Sequence, residues 1–218
     1  MKKSLGLLSL LLVSGAAFIF SGCKKENTKE DVSALFKNTE WTGEIKYSNK
    51  PVADPYSIEF FQDGSLKWHQ ISGDYDGIYT IDAANRKISI SSGAVGAVIT
   101  AIITQDNKFS NISPTNILSC EVNKSGPQDL DNTNWKGKLD RVIPFEMNFR
   151  PGKKVLHTGF PVEQSYQRAG SAVLVITNAS KYFSVIQPDN KTIKGIANII
   201  DPFSPNPYPY YPLDLIKQ

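Results

Sequence analysis

The 218-residue chain is 40% hydrophobic and 21% charged, an ordinary globular balance with room for one large or two small cores. Its formal net charge of +3 loses the two positive charges of Lys2 and Lys3 if an acid-free leader is removed. No dense basic stripe follows, which argues against nucleic acid as the main partner.

Lys2 and Lys3 precede an apolar run from Leu5 to Phe20, interrupted by Ser9, Ser14 and Gly15. The run falls short of the roughly 20 residues a membrane span needs. A basic start, an apolar middle and small residues before a cut make a secretory signal over residues 1–22. Cys23 sits at the junction, so a disulfide with Cys120 is not expected. Cys120 lies in Ile117-Leu118-Ser119-Cys120-Glu121-Val122 and reads as a small buried hydrophobe on a strand, inward with Leu118 and Val122. Residues 23–35 begin with the polar run Lys24–Asp31 and read as a tether, with the basic pair solvated or against anionic headgroups. Glu30–Phe36 looks like a helical turn or two.

From here the chain alternates like short antiparallel strands. Residues 36–125 offer Trp41–Tyr47, Tyr56–Phe61, Ser65–Ile71, Gly77–Ile81, Lys87–Ser91, Val98–Thr104, Phe109–Ile112 and Ile117–Val122. Turn chemistry separates them at Asp63-Gly64, Asp76-Gly77, Ala84-Asn85 and Asp106-Asn107. Gly126–Asp129 is the candidate boundary. Residues 130–218 offer Trp135–Leu139, Phe145–Phe149, Lys154–Thr158, Gln164–Arg168, Ala172–Ile176, Tyr182–Ile186 and Ile193–Ile199. Residues 202–212 hold five prolines and four aromatics. Such a run favours extended polyproline geometry and reads as a strap outside the sheet, or as an aromatic platform for a sugar or apolar ligand. Basic residues Arg141, Arg150, Lys153, Lys154 and Arg168 give the second half some suitability for an acidic ligand.

The two halves repeat. Asn38-Thr39-Glu40-Trp41-Thr42-Gly43 returns as Asn132-Thr133-Asn134-Trp135-Lys136-Gly137. Phe61, Gly64 and His69 match Phe149, Gly152 and His157, and Tyr79 matches Tyr166. Phe109-Ser110, Ile112, Pro114 and Asn116 match Phe183-Ser184, Ile186, Pro188 and Asn190. Order is kept while the spacing shrinks, as duplication followed by loop loss would leave it. Sequential strands joined by tight turns make a meander, and closing a meander removes its exposed edges. The fold expected is all-β: two tandem small antiparallel meander barrels, with one merged β structure as the rival.

Two resemblances add to this. Phe20-Ser21-Gly22-Cys23 resembles the bacterial lipobox, although Phe20 stands where that family has Leu. The resemblance implies a diacylglyceryl and acyl modification (palmitate or similar) of Cys23. The Trp and Gly opening each half, the Phe strand, the Gly turn and the Tyr strand resemble small lipocalin-like domains of Bacteroidetes lipoproteins. In that pattern Trp41 and Trp135 would each plug one end of a barrel. Copies this short are small for a barrel with a roomy cavity.

No catalytic constellation emerges. Gly-x-Ser-x-Gly is absent, and the carboxylates Glu44, Glu59, Glu146 and Glu163 have no spacing that selects two of them. His69 and His157 read as surface histidines, too few for a zinc site. Asp74-Tyr75-Asp76-Gly77 reads as a hairpin turn rather than a calcium loop, and Gly93–Gly96 as a plain loop. The expectation is a non-enzymatic envelope lipoprotein without cofactor or metal, lipid-anchored through Cys23 in the outer membrane, on its periplasmic or surface face. Its ligand would be a small apolar molecule or glycan, with Trp68, Tyr75, Tyr79 and Tyr166 as contact candidates. The alternative is a structural or protein-interaction lipoprotein whose barrels are filled by side chains.

Overall fold

A computed structural model describes residues 31–123, 129–199 and 209–218. The expected signal segment, Cys23, most of the tether, Gly126–Gln128 and most of the proline-rich run lie outside them. The described chain is all-β, two eight-stranded antiparallel barrel-like sheets in tandem, consistent with the tandem barrels the resemblance implies. Both fall in one compact unit.

Barrel 1 contains β1 (Thr39–Lys46), β2 (Ala53–Phe60), β3 (Ser65–Gln70), β4 (Gly73–Asp82), β5 (Lys87–Ser92), β6 (Val98–Ile103), β7 (Phe109–Ser113) and β8 (Ile117–Asn123). Each expected strand is present. β4 begins earlier than expected, so Asp74–Gly77 is strand rather than turn. Barrel 2 contains β9 (Asn134–Leu139), β10 (Ile143–Arg150), β11 (Lys154–His157), β12 (Phe160–Ala169), β13 (Ala172–Ile176), β14 (Ser180–Ile186), β15 (Thr192–Ile199) and β16 (Tyr210–Lys217). The sequence reading lacked β16. Pro212 sits in that strand opposite Ile196. Its carbonyl accepts from Asp140 N just past the end of β9, so its missing N–H removes no ladder bond to β9.

The seams differ. β16 pairs with β9 from Leu213↔Leu139 to Lys217↔Trp135 and closes barrel 2. In barrel 1, the residues just before β7 meet β8 through the isolated bridge Lys108↔Glu121, reinforced by Val122 N donating to Asn107 O and by the Lys108–Glu121 ion pair at 3.0 Å.

The repeated Asn-Thr-x-Trp-x-Gly has a physical reading in both copies. Asn38 and Asn132 take left-handed backbone (φ 54° and 60°), which asparagine tolerates better than most residues. Thr39 Oγ1 accepts from Trp41 Nε1 and donates to Leu35 O; Thr133 Oγ1 accepts from Trp135 Nε1 and donates to Leu130 O. The hydroxyl thus satisfies an indole N–H that burial would otherwise orphan. Both tryptophans are buried. Gly43 and Gly137 lie where the closing strand comes nearest: an added Cβ would stand 2.0 Å from Ser119 O and 1.9 Å from Asp214 O.

The 3-10 turn Val32–Phe36 is capped by Asp31, whose carboxylate accepts from Ser33 N. Val32 and Phe36 are buried, and Phe36 stacks on Trp41 at 4.6 Å. Packing therefore extends into the stretch expected to be tether.

The strand registers correct two parts of the repeat. Ile58 pairs with both Trp41 and Trp68, as Met147 pairs with both Trp135 and His157, so the barrel-2 counterpart of Trp68 is His157, not His69's. Phe109 lies on β7 but Phe183 on β14, the counterpart of β6, so that match slipped by one strand. The Tyr79–Tyr166 match holds: they pair with Ile90 and Val175 on corresponding strands. Leu118, expected inward, is exposed; a register shift at Glu44/Ile45 re-aims β8 there.

Gly137→Ala is expected to destabilise by about 1–3 kcal/mol through overpacking at the seam. Gly93→Ala, whose Cβ would meet only Tyr75 at 3.4 Å, is expected to change stability by less than about 0.5 kcal/mol. Urea unfolding monitored by tryptophan fluorescence measures both, and equal effects would refute the seam argument.

Candidate functional site at the barrel junction

The interiors are occupied by the chain itself. Trp68 is buried in barrel 1, 4.3 Å from Tyr56. Tyr79 is half-buried over Phe60, and its hydroxyl donates to Phe36 O and Phe61 O. Tyr166 packs edge-on against Phe149 at 5.2 Å, and Tyr75 O–H donates to Ser72 Oγ. These four ligand candidates are spread over two barrels, and none lines the clefts described below. Cys120 is buried against Tyr56, and burial pushes its thiol up to about 12, far from reactive thiolate chemistry.

Polar chemistry gathers instead where the barrels meet. Alternation puts Trp41 inward, so Glu40 points outward and is buried under barrel 2. Ser57 Oγ donates to Glu40 Oε1 at 2.5 Å, Ser171 N to Oε1 at 2.6 Å and Ser171 Oγ to Oε2 at 2.9 Å. Asn123 Nδ2 donates to Ser171 Oγ at 2.6 Å. Gly170, at φ +53°, makes room: a Cβ there would lie 2.6 Å from Glu40 Oε1. Burial raises the Glu40 carboxyl above its usual range, against the pull of these donors. Beside this network an apolar seam forms from Ile71 of barrel 1 and Ala172, Phe183, Val185 and Ile196 of barrel 2. Lys194 pairs with Glu44 at 3.3 Å, and Lys50 Nζ lies 4.2 Å from the Tyr210 ring centre.

His69 also points out of barrel 1 and is covered, at 1% exposure. Its Nδ1 meets Asp74 Oδ1 at 2.8 Å and its Nε2 meets Glu59 Oε2 at 3.0 Å. Burial opposes the imidazolium, but the bonds and charges of Glu59 and Asp74 outweigh it and hold the pKa above its ordinary value. His157 is the reverse case. It lies inside barrel 2 at 4% exposure, ringed by Phe145, Phe160 and Tyr182. Burial lowers its pKa, with only Thr158 O favouring the charged form. Neither is the surface histidine that two isolated residues suggest. Lys67 beside His69 correctly marked the outward face, but sequence gave no sign that barrel 2 covers it.

Two clefts flank the network. One, of about 550 Å³, includes Leu35, Glu40, Glu59, Phe60, Phe61 and Gly170, and runs to Asn123. The other, of about 330 Å³, lies between the barrels and includes His69, Asp74, Gln167, Arg168, Leu174 and Phe183. Glu59–His69–Asp74 thus spans from one cleft to the other. Among the described residues no group of three or more His, Cys, Asp or Glu is placed to hold a metal ion. His69 has both nitrogens engaged at opposite ring edges.

No family model matches the chain, and comparisons with curated proteins and with solved structures find no match.

The two histidines predict opposite pH slopes. His69, raised when folded, contributes stability that is complete below its unfolded pKa near 6.5 and is lost as pH rises through its folded value. His157, lowered when folded, contributes stability present above about 6.5 and lost as pH falls through its folded value. Urea midpoints between about pH 5 and 9 should flatten on the alkaline side in His69→Gln and on the acid side in His157→Phe. Unchanged slopes in both would refute the assignment.

Proposed function

We propose that this chain is a lipid-anchored, non-enzymatic module of the bacterial cell envelope, in which side-chain-filled barrels act as a rigid scaffold and recognition takes place on their outer surface. The observation that carries the reading is the filling itself. Trp41, Trp68 and Trp135, with Tyr56, Phe60 and Phe149, are among the largest fully buried side chains and occupy the two interiors. This is the alternative the sequence offered, and it moves the search for a ligand from barrel lumen to barrel junction. Anchoring rests on the Cys23 junction alone. Several acyl chains on one residue would give the stable attachment that a single chain does not.

A protein partner is the second reading, favoured by an apolar rim. Val142 (71% exposed), Ile143, Val162 and Ile176 lie at or beside the β9–β10, β11–β12 and β13–β14 hairpins. Alternate hairpins of an up-and-down barrel share one end, so these side chains group there.

Mass spectrometry of protein purified from its own host is expected to show an acylated N-terminal Cys23. An unmodified Cys23 or a retained leader overturns the anchor. Titration with a fluorescent fatty acid is expected to give no saturable quenching of Trp68 or Trp135. Saturable quenching overturns the filled-scaffold reading.

A further inference from the structure

We infer that one end of the molecule is a docking face for an anionic phospholipid bilayer. The inference goes beyond the lipid anchor and does not need it.

The first argument is how the two barrels stand. Glu40, at the start of β1, is bonded by Ser171 in the β12–β13 turn. At the other end the β1–β2 connection, with Pro51 and Val52, shares a cleft with Asp140 and Arg141 of the β9–β10 turn. Lys50 lies over Tyr210 at the start of β16 there. The barrels therefore stand side by side and point the same way. One end of the pair holds Asp31 and the starts of β1 and β9. The other holds the β1–β2 and β9–β10 connections.

The second is where exposed apolar side chains fall. Among the described residues nine large hydrophobics are exposed. Six of them, Val98, Leu118, Val142, Ile143, Val162 and Ile176, lie within two residues of a strand terminus at the β1–β2 end. Both barrels contribute, so these are separate tips rather than one pocket. A protein hot spot gathers its anchors in one packed centre, whereas a fluid bilayer takes up each tip where it lies. The β9–β10 turn shows how a tip is made. Asp140 and Arg141 take left-handed backbone (φ 52° and 63°), and Val142 N donates to Leu139 O. Asn-Gly suits such a turn better. Here it carries Arg141 and Val142, both exposed. Tyr210 and Tyr211, half-buried at the same end, suit the headgroup level.

The third is charge. At the Asp31 end, Asp31, Asp63, Asp82, Asp106, Asp129 and Asp189 bond donors in their own turns. These acids offset the lysines of that end. At the apolar end the exposed acids are Asp140 and Asp74, and Asp74 is bonded to His69. Against them stand Arg141 beside Val142, Lys181 opposite Ile176, and Lys46 at the end of β1. Anionic headgroups therefore favour the end that also carries the aliphatic tips.

The anchor is compatible with this orientation. Cys23 precedes Asp31 by eight residues, a span of at most about 29 Å. Strands of eight residues such as β1 and β2, tilted by about 40°, make a barrel roughly 20 Å high. A tether of that reach can pass alongside a barrel, so the acyl chains and the tips can share one leaflet.

The test uses the chain from residue 23 onward with Cys23→Ser, which carries no acyl group. It is sedimented with vesicles of phosphatidylcholine alone and of phosphatidylcholine mixed with phosphatidylglycerol. Binding is expected to the mixed vesicles, to weaken without phosphatidylglycerol, and to fall as salt rises. Val142→Ser and Val162→Ser are each expected to lower affinity by about tenfold, the value of one aliphatic side chain leaving water. Arg141→Gln is expected to lower it about fivefold, the value of one cation near an anionic surface. Ile216→Ser, an exposed aliphatic at the Asp31 end, is expected to leave binding unchanged. Unfolding midpoints record that every variant is folded. Three results overturn the proposal: the chain stays in the supernatant with both vesicles, the tip variants bind as the parent does, or Ile216→Ser weakens binding as much as they do. The first would hand the rim to a protein partner, and it stands apart from the anchor, which the acylation state of Cys23 decides.

Discussion

A carboxylate removed from water has to be given hydrogen-bond donors, and the way Glu40 obtains them organises this protein. One donor comes from its own barrel, at Ser57, and two come from Ser171 of the other. Two sheets that could each close alone are thereby held in one register, with Gly170 allowing the approach. The apolar seam around Ile71 and Phe183 supplies area, while the Glu40 contacts specify position. Among the described residues, the Glu40 network, His69 with its two carboxylates and the apolar seam all lie at that junction.

The same junction explains why the outside of the barrels carries the candidate site. A small barrel packed with indole and phenol rings has little interior left for a guest. Its outward-facing residues are ordinarily solvated. Where a second barrel covers them, outward polar residues become buried and must find partners, and His69 between Glu59 and Asp74 is the result. Two barrels set in tandem thus create polar, partly enclosed space that neither has alone.

Most of the strands were legible because alternation and turn residues are local properties. Trp41, Trp135, Tyr79 and Tyr166 were legible because each occupies a position whose geometry recurs in both barrels. The slip between Phe109 and Phe183 arose because neighbouring strands of a meander share one apolar rhythm, so a short match cannot tell β6 from β7. β16 was hidden by Pro212 and by the prolines that precede the strand, which sequence weighs against a strand without knowing that Pro212 lies beyond the end of β9. The junction was not legible. Glu40, Ser57, His69, Arg168 and Ser171 are unremarkable polar residues on alternating strands, and only the pairing of the two barrels makes them neighbours.

The late position of β16 bears on how the chain comes to be folded. Barrel 1 can curl up as soon as Asn123 is available, from strands that mostly neighbour one another in sequence. Barrel 2 must wait, because the partner of β9 is the last of that barrel's own strands. Until then β9 and β15 present unpaired edges to whatever lies nearby, including other nascent copies. A chain made from its N-terminus therefore passes through an interval in which one half is finished and the other is adhesive. Synthesis stopped before Tyr210 would prolong that interval indefinitely.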